Sequence, residues 1–436
     1  MRRAAAFLAL ALLPLAAGAE PPEGRRLYHG FTPFAAGREA TATRLPLAYA
    51  ACGNCHGPLA EGRREGGVTA PPITWAALAR PAGEAPAYAS AEAVGRAILA
   101  GQGRGGRVLD RAMPRYRLEP AELQALLDHL RRVGTAADLP PGVTADSVAL
   151  GAVLPLSGPG GASGRAVLAG LREVLDATSA AGGVHGRRLL LVVADGARGT
   201  ETALRDVLAR PVYALVGGFW PGNPAAEAML EAARVPHIGS LVLRAGAQET
   251  GPWSADLLAP VAEQQVALAG ALTSCEAAGP RLGLRLAAPS ADERDGAIQW
   301  FGESAALAAA LREAGAPGCL GLGLAGLAAL GGHIPPGWQA RLVLPFPVVL
   351  LSQDPRGGPW RQLGRAAGRL AVEWLSRAGA VLHEGALPAQ RAASQGYAPL
   401  PGAPVQFRRH RRHAWDAEVI EIGDAPRAAA STDRGG

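Results

Sequence analysis

The sequence predicts a multidomain protein in which a small all-α domain precedes a two-lobe α/β domain with parallel sheets. Three observations carry this expectation. The chain has 436 residues, too many for one ordinary domain and enough for two or three. A stripe at helical spacing, Leu123, Leu126, Leu127, Leu130 and Val133, ends just before a connection rich in Ala, Pro and Gly. From Ser147 onward, apolar strand patterns alternate with amphipathic helix patterns at the spacing of βαβ units. With 49% hydrophobic and 18% charged residues, the chain can bury a sizeable core and is not disordered as a whole. All 43 basic residues are Arg, and a net charge of +6 spread over this length makes no concentrated basic face. No nucleic-acid partner is therefore expected.

At the N-terminus, Arg2 and Arg3 precede an apolar stretch from Ala4 to about Ala17, followed by the small residues Ala17, Gly18 and Ala19. This is the pattern of a cleavable secretory signal, residues 1–19. At ~1.5 Å per residue the stretch falls short of the ~30 Å hydrocarbon core, so no transmembrane span is expected in the mature chain. The expected location is the periplasm.

The most specific motif is Cys52-Gly53-Asn54-Cys55-His56. Two thiols three residues apart, with a histidine directly after the second, suit thioether attachment of one haem c and ligation of its iron by His56. A redox-active thiol pair would sit at the head of a helix after a core strand, and a zinc site would need a second ligand pair nearby. Neither pattern accompanies these cysteines. Of the three methionines, Met113 alone lies in the stretch that could fold over the same haem. Its alternative role is a core side chain. His129 lies off the Leu stripe and is expected at the surface or its boundary; His29 is a remote second candidate ligand. Residues 45–133 resemble a class I cytochrome c domain, in which a ligating Met precedes a C-terminal helix that crosses the N-terminal one. The resemblance implies that a proline carbonyl holds the ligand histidine. Pro71 or Pro72 matches by position, with Pro72 preferred. A His56/Met113 pair leaves no open coordination position, which favours electron transfer over catalysis at the iron.

Gly134 to Asp146 reads as an interdomain connection, giving a first domain over 20–134, a linker over 135–146 and a second domain over 147–423. In the second domain the expected elements are strands at Ser147–Leu154, Arg188–Ala194, Tyr213–Gly217 and Val235–Ser240. Helices are expected at Gly164–Ala180, Thr200–Ala209 and Ala225–Ala233. A second series offers helix Val261–Glu276, strand Arg281–Ala287, helix Asp295–Ala314, strands Cys319–Leu324 and Leu342–Pro345, helix Trp360–Ala378 and strand Ala417–Ile422. Residues 424–436 are expected to be a disordered tail.

Gly151 to Gly158, then Gly182 to Arg187 and a strand ending in Asp195, resemble the opening of type I periplasmic binding proteins, the branched-chain amino acid binders. The resemblance extends over roughly Ser147 to Ile422 and implies a ligand cleft between two lobes. By position, Ser157, Phe219, Trp220, Asn223 and Ser240 fall at that cleft, with Trp220 alternatively a packed hinge residue. The family's run of Ser and Thr after the third strand is replaced here by Gly218-Phe219-Trp220-Pro221-Gly222-Asn223. A zwitterion would be left without polar partners, at a cost of several kcal/mol. A more apolar or aromatic ligand, or none, is expected.

Cys275 and Cys319 could form a disulfide worth roughly 4 kcal/mol on the chain-entropy model, or remain inert thiols. The basic run Arg408 to His413 reads as a solvated loop, its alternatives being contact with an acidic redox partner or anionic headgroups, or a metal held by His410 and His413; Asp292, Glu293 and Asp295 read as helix-capping charges. The resulting expectation is a non-enzymatic, periplasmic electron carrier. It would accept single electrons from a redox partner, by analogy a quinoprotein-type dehydrogenase, through a module that docks that partner or senses a small molecule. The rival reading is a solute-binding protein of an ABC-type uptake system with an accessory haem redox sensor.

Overall fold

The computed structural model describes residues 23–30, 50–65, 67–246, 253–277, 279–286, 298–314, 317–352, 358–380, 382–383, 385–407 and 413–422. The expected signal segment, the Asp292/Glu293/Asp295 cluster, Arg408 to Arg412 and the expected tail lie outside the described residues. The chain forms two compact units, the first made of the residues up to Ala145 with Ala209–Pro211 and the second of the remainder from Asp146. Among the described residues, no helix is long and apolar enough to cross a membrane.

Among the described residues of the first unit the α-helices are α1 (Glu23–Tyr28), α2 (Cys52–His56), α3 (Trp75–Leu78), α4 (Ala91–Ala100) and α5 (Pro120–Arg132), with a hairpin of β1 (Arg63–Glu65) and β2 (Val68–Ala70). Local chemistry sets the ends of the two longest. Ser90 Oγ accepts from Ala93 N at 3.3 Å at the start of α4, which stops at Gly101 with φ 70°. Glu119 N donates to Glu122 Oε2 at 2.9 Å, and Pro120 fills the first position of α5. The buried residues Val94 and Ile98 on α4 and Leu126, Leu127 and Leu130 on α5 join one core with Leu27, Tyr28, Leu78 and Tyr116. Helix α1 lies ahead of the stretch expected to hold that core. It packs against α5 with Gly24 at the contact, where a Cβ would stand 1.9 Å from Ala125 O. Only glycine lets the two backbones approach so closely.

The second unit holds two five-stranded sheets. The first contains β3 (Ser147–Leu154), β4 (Arg188–Asp195), β5 (Ala214–Val216), β6 (His237–Ser240) and β7 (Ser254–Asp256), all parallel in the order β4-β3-β5-β6-β7. The second contains β8 (Arg281–Leu284), β9 (Ile298–Phe301), β10 (Gly318–Gly323), β11 (Trp338–Leu344) and β12 (Glu418–Ile422), ordered β12-β11-β10-β8-β9. Its edge strand β12 runs antiparallel to β11, and the other pairs are parallel. The helix Gly358–Ala378 returns to the first sheet and packs along helix Gly161–Ala180 and β6. Gly170 and Gly364 face backbone across that helix pair, each with no room for a Cβ.

Three expectations differ from the structure. The helix expected at Asp295–Ala314 is a strand, β9, followed by a helix at Ser304–Ala314. A short apolar run has no period long enough to tell strand from helix, and pairing with β8 decides it. Strand β7 carried too little apolar patterning to be recognised. The start of the expected linker is ordered: Thr135 Oγ1 accepts from Ala137 N at 3.2 Å, and Asp138 docks on the first unit through Arg25.

Candidate functional site

Helix α2 places Cys52, half-buried, and Cys55, exposed, one turn apart, with His56 buried immediately after. The His56 Nδ1 atom lies 2.8 Å from Pro71 O. A carbonyl only accepts, so Nδ1–H donates and Nε2 keeps its lone pair for a metal. Burial lowers the His56 pKa, and the Pro71 bond opposes that in part. The ring is therefore neutral, as a ligand must be. Burial pushes the Cys52 thiol up to about 12. The preferred proline needs correction: the carbonyl belongs to Pro71 and not to Pro72. A residue before proline is held extended, so successive carbonyls point to opposite sides and only one of the two can face His56.

Met113 is half-buried in a turn closed by Met113 N to Asp110 O at 3.2 Å and Ala112 N to Asp110 Oδ1 at 2.8 Å. The Arg115 guanidinium fastens this turn, donating to Leu109 O at 2.7 Å, to Asp110 O at 3.3 Å and to Met113 O. Tyr116 links the turn to the attachment helix. Its N–H donates to Ile98 O at 3.2 Å and its hydroxyl to Ala50 O, two residues before Cys52. Tyr28, on the N-terminal helix, donates to Gly57 O at 2.7 Å and lies against Gly53. Sequence reasoning missed Tyr28. Its signal was an apolar and aromatic pair, Leu27-Tyr28, standing close behind Gly24. The residues present fit a covalently attached haem: two thiols on one face, an oriented imidazole nitrogen and a thioether on a braced turn.

His129 requires correction. It is 1% exposed, because the N-terminal helix covers that face of Pro120–Arg132. Its Nδ1 lies 3.5 Å from Asp138 Oδ1, and the Tyr28 and His29 rings stand 5.0 and 6.2 Å away. Arg25 Nη1 donates to Asp138 O at 2.8 Å. Burial first, then the Arg25 and Arg132 charges, lower the His129 pKa to about 3. His29 is half-buried beside Tyr28.

In the second unit the five expected cleft residues separate. Ser157 Oγ donates to Asp195 Oδ2 at 2.7 Å at the exposed end of β3. Phe219 is half-buried and packs on Trp360 at 4.7 Å. Trp220 is no cleft wall: it is 4% exposed, packs with Val153, Leu204, Leu215 and Leu230, and stacks on His237 at 5.3 Å. Asn223 caps helix Pro224–Ala233, its Oδ1 accepting from Ala225 N and Ala226 N at 2.9 and 3.2 Å. Ser240 is 0% exposed and accepts from Val242 N at 3.3 Å. Trp220 and Asn223 follow closely on the positive-φ pair Gly217-Gly218 at the end of β5. Asp195, not among the expected site residues, organises the β3 end. Bonds from the Ser157 hydroxyl, Leu156 N and Ala197 N lower its pKa to about 2. Cys275 and Cys319 are joined in a disulfide. His413 is 4% exposed, so the basic run does not end in solvent as expected.

Residues 45–134 match the cytochrome c family model, and residues 147–281 match the periplasmic binding protein family model. No curated protein matches the chain. Among solved structures, a substrate-binding periplasmic protein from Ralstonia solanacearum is 20% identical, covers 63% of this chain and 97% of its own, and has a TM-score of 0.49. A fatty acid ABC transporter substrate-binding protein from Thermomonospora curvata is 17% identical, over 65% and 90% of the two chains, with a TM-score of 0.49. A possible leucine/isoleucine/valine-binding protein from Rhodopirellula baltica SH 1 is 13% identical, over 65% and 98%, also at 0.49.

Proposed function

We propose that this chain, which joins a cytochrome c domain to a periplasmic-binding-protein-like α/β domain, is a periplasmic carrier of single electrons. The observation that carries the reading is the His56 Nδ1 bond to Pro71 O, on the same short helix as Cys52 and Cys55. Cys52 and Cys55 would hold one haem c by thioether bonds, and His56 Nε2 and Met113 Sδ would ligate its iron. That group supplies reversible one-electron chemistry with no open coordination position. The chain's own residues orient it. Pro71 fixes the imidazole tautomer, Arg115 and Tyr116 hold the methionine turn, and the Leu27, Leu78 and Leu126 core keeps water away.

The α/β module docks a redox partner or senses a small apolar molecule. Supporting this, Trp220 and Ser240 of the expected cleft set are buried, and the three that reach solvent, Ser157, Phe219 and Asn223, bring no cationic or anionic group for a free amino acid. The electron donor is a periplasmic dehydrogenase of the quinoprotein type. Both domain families are typically periplasmic, which agrees with the N-terminal signal pattern.

The test is an optical spectrum of the exported protein, oxidised and reduced, for wild type and Met113→Ala. The expected wild type is low-spin c-type with a weak long-wavelength band that Met113→Ala abolishes. A spectrum unchanged by the substitution would remove Met113 from the iron. Slow reduction by the dehydrogenase, together with tight solute binding that survives loss of haem, would instead favour an uptake protein with a redox sensor.

A further inference from the structure

The chain passes between the two sheets of the α/β unit after β7, after β11 and again just before β12. The last passage carries side chains with metal-ligating chemistry. His413 forms a parallel bridge with Asp256 at the outer edge of the first sheet. Ala414 N and Trp415 N donate to Asp256 O and Leu257 O at 2.9 and 3.2 Å. Two residues after Asp416 the chain enters β12 in the second sheet. Glu263 stands in the first turn of helix Val261–Thr273, which packs on that second sheet.

His413 Nε2 lies 3.1 Å from Glu263 Oε2. One ligand atom from each of His413, Glu263 and Asp416 falls within 4.8 Å of the others. The imidazole is 4% exposed, Glu263 half-buried and Asp416 exposed. Bonds of ~2.0–2.1 Å to a tetrahedral ion set neighbouring ligand atoms about 3.3 Å apart, close to the His413–Glu263 separation. An exposed aspartate can close the remaining distance by a rotamer change, and water can complete the fourth position. The neighbouring carboxylate of Asp256 is already engaged, by Arg244 Nε at 2.6 Å and Ser254 Oγ at 3.2 Å, and is no ligand.

We infer that His413, Glu263 and Asp416 form a divalent-cation site at the crossing between the two lobes, suited by its imidazole and carboxylate donors to Zn²⁺. One ligand is anchored to the edge of the first sheet, a second to a helix on the second sheet, and the third to the segment that leads into β12. An ion held there ties the lobes together at their crossing and restrains their relative rotation. The inference does not depend on the haem or on any cleft ligand.

The full chain, stripped with a chelator and dialysed against micromolar Zn²⁺, is expected to retain one zinc per chain by elemental analysis and to melt at a higher temperature. Asp416→Asn and His413→Ala should each weaken retention about 100-fold or more, since even supporting residues of metal sites cost 10–100-fold. Asp416 is exposed, so its variant keeps the fold; far-UV circular dichroism verifies this for both. The chain has nine histidines, and zinc retained equally by wild type and Asp416→Asn would place it elsewhere and overturn the site. Failure of the wild type to retain zinc would leave His413 and Glu263 as an ion pair only.

Discussion

Cys52, Cys55 and His56 occupy one short helix and stay together in the fold. Ser157, Phe219, Trp220, Asn223 and Ser240 lie on one family-like pattern in the sequence, yet they end as a loop anchor, a half-buried ring, a core side chain, a helix cap and a buried hydroxyl. The contrast comes from how far apart the partners are in the chain. A haem attachment site is fixed by the geometry of one helical turn, and only its supports are distant. A cleft is made by the ends of several strands, so one tight turn can rotate its residues into the core.

The largest expected effect breaks this contrast if it fails. Trp220→Ala should destabilise the α/β unit by ~3–5 kcal/mol, the usual range for removing a buried aromatic, while leaving the haem spectrum unchanged. Chemical denaturation followed by far-UV circular dichroism checks it. A variant that keeps its stability and changes small-molecule binding would return Trp220 to the cleft.

A smaller effect concerns pH in the first unit. His129 is held neutral in the fold, with its pKa near 3 against 6.5 when unfolded. Protons therefore bind the unfolded chain first, and stability falls as the pH drops from about 6.5 toward 3. The slope is at most ~1.4 kcal/mol per pH unit. Asp138, whose pKa burial raises, offsets part of this at the acid end. His129→Gln should flatten the fall, read as unfolding midpoint against pH. An unchanged pH profile would mean that the imidazole charges freely in the fold.

The smallest effect belongs to Asp195. Its pKa is lowered to about 2, so the bonds from Leu156 N and Ser157 Oγ stabilise the folded form above about pH 4 and are lost as the pH falls toward 2. Asp195→Asn should remove that acid step from the melting profile of the α/β unit with little change at neutral pH. Loss of a small-molecule response at neutral pH would show instead that Asp195 belongs to a working cleft.

Most of the architecture was legible from pattern. The eight residues of β3 and the helices beginning at Thr200 and Val261 follow from apolar period, which is a local property. The attachment motif was legible for the same reason, because its spacing is its geometry. What only the tertiary structure decided depends on partners distant in the chain. Pairing with β8 made Ile298–Phe301 a strand, and the N-terminal helix, approaching at Gly24, buried His129. The extended Pro71-Pro72 pair presented one carbonyl to His56, and the last passage between the sheets carried His413 to Glu263. In each case the sequence supplies the side chain, and a long-range backbone contact selects what it faces.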